Sequence, residues 1–387
     1  MFAPALWAPR ALAQEAGTAA SAASPAVLPS DPRGGSRPAD QLAAPAPDGD
    51  EERSAWSPFP IIGFSPETSG LFGAGTVFTF ATSDDTDERM LRRSAVTVVG
   101  WATLKRQYAV GIAPNIYLDG ETWQLESQMG AALWPNRFYP LGDDARDADS
   151  ESYSERVFAA RLTATREVFE RVRAGLRLAG VHATTVRTEQ GGLLASGEVP
   201  GGNGGRVVGV GPVLVRDSRD NNFDTRRGGF YQLLAGWHDS ALGSEFDYVD
   251  AELDMRRFLP VWGDHTLAFQ IFARSTWGNP PFQLQAPLGG KYNLRGYFEG
   301  RFRDRHSATV TAEYRLPVWW RIGAVVFGGA GQVAPALDEF DWASPKVAGG
   351  VGLRFSLNPH DRINLRFDGA TNAEGDLALY VHLGEAF

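Results

Sequence analysis

From Pro58 to Phe387 the chain repeats one pattern: runs of about 9–14 residues in which apolar and polar side chains alternate, separated by turn-rich breaks. A period of two places alternate residues on opposite faces of an extended strand. Val249, Ala251, Leu253 and Met255 share one face, with Asp250, Glu252, Asp254 and Arg256 on the other. Val172, Ala174, Leu176 and Leu178 likewise oppose Arg171, Arg173 and Arg177, and Ile363, Leu365 and Phe367 oppose Arg362, Asn364, Arg366 and Asp368. The pattern predicts strands at 59–65, 70–81, 92–103, 105–118, 121–133, 152–168, 170–186, 204–217, 227–240, 243–257, 263–276, 305–318, 320–333, 345–357, 361–369 and 375–387, about 16 in all. Sandwich strands average five or six residues, shorter than these. A polar face so rich in charge suits the lumen of a membrane barrel better than a soluble sandwich, barrel or propeller. The predicted fold class is therefore all-β, a transmembrane antiparallel β-barrel with an even strand number.

Three connections are long, 135–151, 188–204 and 277–304, and they follow the fifth, seventh and eleventh predicted strands, so all lie at one end. Outer-membrane barrels place long loops outside and short turns on the periplasmic side, which predicts periplasmic termini. The last strand carries Leu377, Leu379, Val381 and Leu383 outward and Ala378, Tyr380 and His382 inward. Read through to Phe387, it ends on an aromatic residue, resembling the signal by which barrel proteins are recognised for insertion. The first strand, which contains Ile62, is preceded by Pro58, interrupted by Pro60 and Gly63 and followed by Pro66. Proline removes ladder donors, so a weak seam is expected between first and last strands.

Composition narrows the function. Glycine (44) and aromatic residues (11%) are plentiful and methionine scarce (4), as strands, turns and interfacial girdles require. The chain has no cysteine, which excludes disulfides, thiolate metal sites and a cysteine nucleophile. A net charge of −9 argues against a nucleic-acid partner. No stretch of 18 or more apolar residues predicts a membrane helix. The six histidines are scattered and no G-x-S-x-G is present, so no enzyme activity, metal or cofactor is expected. Residues 1–13, ending Arg10-Ala11-Leu12-Ala13, resemble the tail of a secretory signal, and 14–56 are an Ala/Pro-rich stretch expected to be a disordered periplasmic linker before a barrel at 57–387.

Within 277–304 stands Gly289-Gly290-Lys291-Tyr292-Asn293-Leu294-Arg295-Gly296-Tyr297. This run resembles the Arg-Gly-aromatic motif of the BamA/TamA outer-membrane assembly family, also called the bacterial surface antigen family. Asp217-Ser218-Arg219-Asp220-Asn221, Ala312-Glu313-Tyr314-Arg315-Leu316-Pro317 and Gly350-Val351-Gly352-Leu353-Arg354-Phe355 resemble further stretches of that family, in the same order. The resemblance implies that the loop after the eleventh strand folds back into the lumen. A guanidinium held there needs a carboxylate, and Glu313 on the inward face of the twelfth strand is the candidate partner of Arg295. Gly296 would allow close approach to the wall and Tyr297 would pack. Where the family carries an aspartate on the thirteenth strand this chain has Gly329, and room for water or a polar neighbour is expected beside it. Residues 14–56 cannot form the periplasmic POTRA modules of family members that insert or translocate proteins. The resemblance implies a POTRA-less barrel that inserts or translocates protein, or exchanges lipid, through a lateral seam. Its partners would be outer-membrane lipid and client outer-membrane proteins or a separate periplasmic protein. A passive channel or surface antigen that keeps only the fold is the alternative. Deletion of residues 14–50 is expected to leave the yield of folded barrel unchanged in a refolding assay, and loss of the barrel would assign that segment a role in folding.

Overall fold

The computed structural model describes residues 54–82, 93–359 and 362–387; the signal-like segment and nearly all of the expected linker lie outside them. Sixteen long strands close into an antiparallel barrel: β1 (Ser54–Ser65), β2 (Ser69–Phe80), β3 (Ser94–Thr103), β4 (Tyr108–Leu118), β5 (Trp123–Phe138), β6 (Glu151–Phe169), β7 (Val172–Arg187), β8 (Gly204–Asp217), β9 (Gly228–His238), β10 (Tyr248–Pro260), β11 (Thr266–Gly278), β14 (His306–Trp319), β15 (Ile322–Ala334), β16 (Lys346–Asn358), β17 (Ile363–Asn372) and β18 (Leu377–Leu383). Between β11 and β14, β12 (Ala286–Leu288) and β13 (Phe302–Asp304) form a separate small hairpin, and β11 pairs directly with β14.

The alternation read from sequence is the alternation of the wall. On β16, Val351 and Leu353 are 62% and 58% exposed on the outer surface, while Arg354 is 5% exposed inside. Leu176, Leu233, Ile271, Val310, Val326 and Leu379 continue the outer apolar surface. An apolar coat of this extent belongs in lipid, where a closed barrel satisfies the backbone because each strand finds its hydrogen-bond partners in its neighbours. Trp123, Phe169, Trp262, Trp319 and Trp320 are exposed beside the short turns at one end, as an interfacial girdle requires. Two of those turns have only two residues, Glu170-Arg171 and Trp320-Arg321; Arg171 (φ 63°) and Trp320 (φ 49°) take left-handed backbone to make them.

The opposite end carries the connections 139–150, 188–203 and 279–305, the last two being the longest between strands of the wall. They fill the lumen. Tyr139 and Ala145 pack with Leu288, Leu294, Tyr297 and Phe302 against Val333 and Ala348 of the wall. Phe138, Tyr153, Leu194 and Phe282 form a neighbouring cluster.

The two ends of the strand order depart from expectation. The first strand begins at Ser54, ahead of the expected 59, and pairs with β2 along its whole length from Ser54–Phe80 to Ser65–Ser69, Pro58 and Pro60 included. Against β18 it has a single registered pair, Phe64 opposite Val381. The last strand ends at Leu383, not 387: Gly384 (φ 80°) turns the chain away, and Phe387 is buried against Phe258 and Ala268. Phe387 therefore does not extend the seam; Arg315, whose guanidinium lies over its ring and binds its carbonyl, draws it inward. In detergent the chain is expected to give a β-rich circular dichroism spectrum and a gel mobility that shifts on boiling. A helical spectrum, or solubility without detergent, is incompatible with this wall.

Candidate functional site

The segment 279–305 is a lumenal loop attached to the wall at several points. β15 supplies the seat. Its run Gly328-Gly329-Ala330-Gly331 leaves a groove: a Cβ at Gly331 would stand 2.6 Å from Leu288 Cδ1, and one at Gly329 3.1 Å from Leu294 Cδ1. The expected space beside Gly329 is thus taken by Leu294 and by the Thr311 methyl group, 2.7 Å from such a Cβ. The missing side chain admits an apolar one from the loop.

Arg295 follows directly. Its Nη1 donates to Asp368 Oδ2 of β17 at 2.5 Å. Its Nη2 lies 3.0 Å from Glu313 Oε1 of β14, and its Cζ 3.5 Å from the ring centre of Phe327. The Asp368 contact is a well-directed hydrogen bond, whereas Glu313 meets the guanidinium as a charge without a directed bond to either oxygen. Arg354 joins the same carboxylates, with Nη1 2.6 Å from Asp368 Oδ1 and Nη2 3.7 Å from Glu313 Oε2, and Arg366 lies 3.5 Å from Asp368. Removing guanidinium groups from water is costly unless carboxylates face them. Here two acids, Asp368 and Glu313, are shared among four buried arginines, the fourth being Arg315, 3.7 Å from Glu313 Oε2.

Gly296 (φ 116°) presses the loop backbone onto the wall. A Cβ there would meet Ala348 Cβ at 3.0 Å and Thr371 O at 3.2 Å. Its N–H donates to Tyr380 Oη of β18 (3.1 Å), and its carbonyl accepts from Asn372 Nδ2 of β17 (3.1 Å). The Tyr297 hydroxyl donates to Val347 O at 3.3 Å, and its ring packs edge-on to Phe302. Gly289 and Gly290, both left-handed (φ 96° and 85°), fold the start of the motif against Phe298 and Glu299.

Further along, Arg301 pairs with Glu374 and Asp376 in the β17–β18 connection, the second at 3.2 Å. Burial alone lowers the Arg301 pKa, but Glu374, Asp147 and Asp376 outweigh it and hold the guanidinium above its ordinary value. On the other side of the seam, the N–H of Glu299 donates to Glu67 Oε1 in the β1–β2 turn at 3.1 Å. One loop thus holds β17, β18 and their connection and also the turn that follows β1. Of the residues singled out in the sequence, Arg295, Gly296, Tyr297, Leu294, Gly289, Gly290 and Glu313 come together in the lumen. Ile62 (56% exposed), Leu379 and Val381 lie on the outer surface near the seam, Leu383 ends β18, and Phe387 is elsewhere in the lumen.

Sequence reasoning missed Asp368, Arg354, Tyr380 and Glu67 as partners of the loop. Parity places Asp368 and Tyr380 on inward faces, but nothing local marks which inward carboxylate the loop will meet. Among the described residues no cluster of three His, Asp or Glu could hold a metal ion.

The sequence pattern of the Omp85 superfamily domain matches residues 99–387. The chain belongs to the Omp85 superfamily. Among solved structures this Omp85 barrel is similar to BamA from Haemophilus ducreyi lacking POTRA domains 1–3 (TM-score 0.61, 14% identity, 86% of this chain and 70% of that one). It is also similar to CdiB from Acinetobacter baumannii (0.56, 10%, 86% and 60%) and CdiB from Escherichia coli (0.55, 12%, 85% and 62%). At these identities the likeness is one of fold, and the chain spans less than two thirds of either CdiB chain. No curated protein matches the chain.

In this Omp85 barrel, Arg295→Ala is expected to leave Asp368 and Glu313 short of counter-charge and to lower unfolding stability by roughly 3–5 kcal/mol. Asp368→Asn should act in the same direction. Denaturant titration of the folded barrel should show the double variant less destabilised than the sum of the singles by at least ~0.5 kcal/mol, and by more than in the corresponding cycle with Glu313→Gln. Strict additivity would break the assignment.

Proposed function

We propose that this protein acts in the bacterial outer membrane, with both termini periplasmic, as a non-enzymatic barrel that inserts or translocates polypeptide, or exchanges lipid, through the seam between β1 and β18. One observation carries the reading: the two strands share a single registered pair, Phe64 with Val381, while the Arg295 loop binds on both sides of that junction, at Glu67 and at Tyr380. Elsewhere in the wall neighbouring strands pair over many residues; β17 and β18 are in register from Leu365–Leu383 to Thr371–Leu377. An incompletely paired edge in hydrocarbon leaves polar backbone without partners and is a template for an incoming strand. The loop is then the latch: seated, it holds the hairpin β17–β18 beside β1; released, it lets them part.

The orientation rests on loop lengths, since the two longest connections, 188–203 and 279–305, share the end opposite to Ser54 and Leu383. Client outer-membrane proteins and lipid are the partners this reading requires, with a separate periplasmic protein as the means of delivery. The lumen packed with loop side chains argues against a passive channel as the main activity.

The chain lacks native cysteine, so Phe64→Cys with Val381→Cys creates the one disulfide possible. The oxidised barrel is expected to lose activity in a reconstituted client-insertion or lipid-scrambling assay and to regain it on reduction, with ion conductance the same in both states. Equal activity of locked and unlocked barrels would leave the channel or antigen reading in its place.

A further inference from the structure

Two pieces of chain lie at the end of the barrel that carries the tight turns and make contacts separate from those of the 279–305 loop. The first is 384–387. After Gly384, whose N–H donates to Asn364 O at 2.8 Å, this segment enters the lumen. Glu385 accepts from Arg354 Nε (2.7 Å) and Asn364 Nδ2 (3.0 Å). Ala386 and Phe387 are buried with Phe258 of β10 and Ala268 of β11, separated from β18 by β17, β16, β15 and β14. The Arg315 guanidinium lies 5.6 Å from the ring centre of Phe258 and 5.7 Å from that of Phe387, and its Nη2 donates to Phe387 O at 3.0 Å.

The second piece is the β8–β9 connection, 218–227. On one side Asp220 Oδ2 accepts from Arg362 Nη1, beside the start of β17, at 2.8 Å. On the other, Arg226 Nη1 donates to Asp264 in the β10–β11 turn at 2.6 Å. Its middle is stiffened by Asn221 Oδ1, which accepts from the N–H groups of Phe223 (2.7 Å) and Asp224 (3.0 Å). The two pieces meet at one side chain: Arg315 Nη1 also donates to Thr225 O (3.5 Å) and lies 3.7 Å from Asp224 Oδ1.

We propose that loop 218–227 and segment 384–387 form an axial gate across this mouth of the lumen, a lid and a plug fastened together by Arg315, which must come apart before solute or polypeptide enters from that side. The fastening is graded. The inner seat is buried: Phe258, Ala268, Ala386 and Phe387 pack together beneath the Arg315 guanidinium. The Arg226–Asp264 pair on the rim is solvated, with Asp264 65% exposed, and such pairs are individually weak. Burial pushes the Glu385 carboxyl up, but Arg354, Arg315 and Asn364 overcome this and keep it ionised at neutral pH, so the plug stays charged where it meets the wall. The gate lies along the barrel axis and is distinct from lateral opening: either could exist without the other.

A single thiol reads the gate. Ala386→Cys in the full chain, folded in liposomes permeable to the reagent, is expected to react with a polar maleimide at least tenfold more slowly than the exposed control Ser344→Cys. Adding Asp220→Asn and Arg226→Ala, both on the lid's rim, should raise the Ala386→Cys rate at least fivefold, leave the control unchanged and increase ion conductance in planar bilayers. Arg315→Ala should do the same. Because it also strips a cation from Glu313 and can fail to fold, the rim pair is the deciding variant. Labelling of Ala386→Cys as fast as the control would show that the plug is not seated. A slow rate that the rim substitutions leave unchanged, with conductance also unchanged, would show that the lid does not hold it. Either result overturns the proposal.

Discussion

Hydrocarbon offers no hydrogen bonds to a peptide group, so a chain that crosses it as strands must close its own ring. Much in this barrel follows from that demand: the closed ring, the long ladders and the alternation that puts Leu353 outside and Arg354 inside. The demand is met least well at one place, between β1 and β18. There, in the function proposed, a tie from within holds the wall. The lumenal loop reaches Glu67 on one side and Tyr380, Asn372 and Asp376 on the other, so side-chain and backbone polar contacts inside the lumen take over part of the work that ladder hydrogen bonds do elsewhere.

The tie combines two kinds of interaction with different consequences. Leu288 and Leu294 settle into the space left by Gly331 and Gly329, an apolar fit that holds without any charge. Arg295, Arg354 and Arg366 then share Asp368 and Glu313. Buried ion pairs add little net stability because desolvation opposes attraction, but a broken one is expensive. Such a network penalises misplacement of the loop more than it favours attachment. A loop held this way has one well-defined seat, and leaving it requires several partners to be released together.

Much of this was legible in the sequence, because period-two alternation over long runs leaves little choice of fold. Val351, Leu353, Asp250 and Glu252 declare their faces by parity alone. The loop motif was equally legible, through Arg295-Gly296-Tyr297. What was not legible depends on distances around the ring. Parity puts Asp368 inside, yet only closure of the barrel decides that it, lying 73 residues from Arg295, receives the directed hydrogen bond. Gly329 misled in the other direction: an absent carboxylate suggested an opening, and the neighbouring glycines instead made a groove. The end of β18 was misread because an alternating strand gives no warning that Gly384 will turn it inward; the attraction lies in Arg315 and Phe258, on other strands.

The attachment points of the lumenal loop also set an order of events. Glu299 bonds to Glu67 across 232 residues, and Gly296 to Tyr380 across 84. Contacts so remote in sequence form slowly, since the intervening chain must first be ordered. While the chain is being made, the loop emerges before either β17 or β18 exists to receive it. Its full docking requires the first turn and the last hairpin to lie side by side. A docked loop is in this sense a record of completed closure: a barrel short of its last hairpin has no Asp368 or Tyr380 to offer, and Arg295 would be left without its best-directed partner.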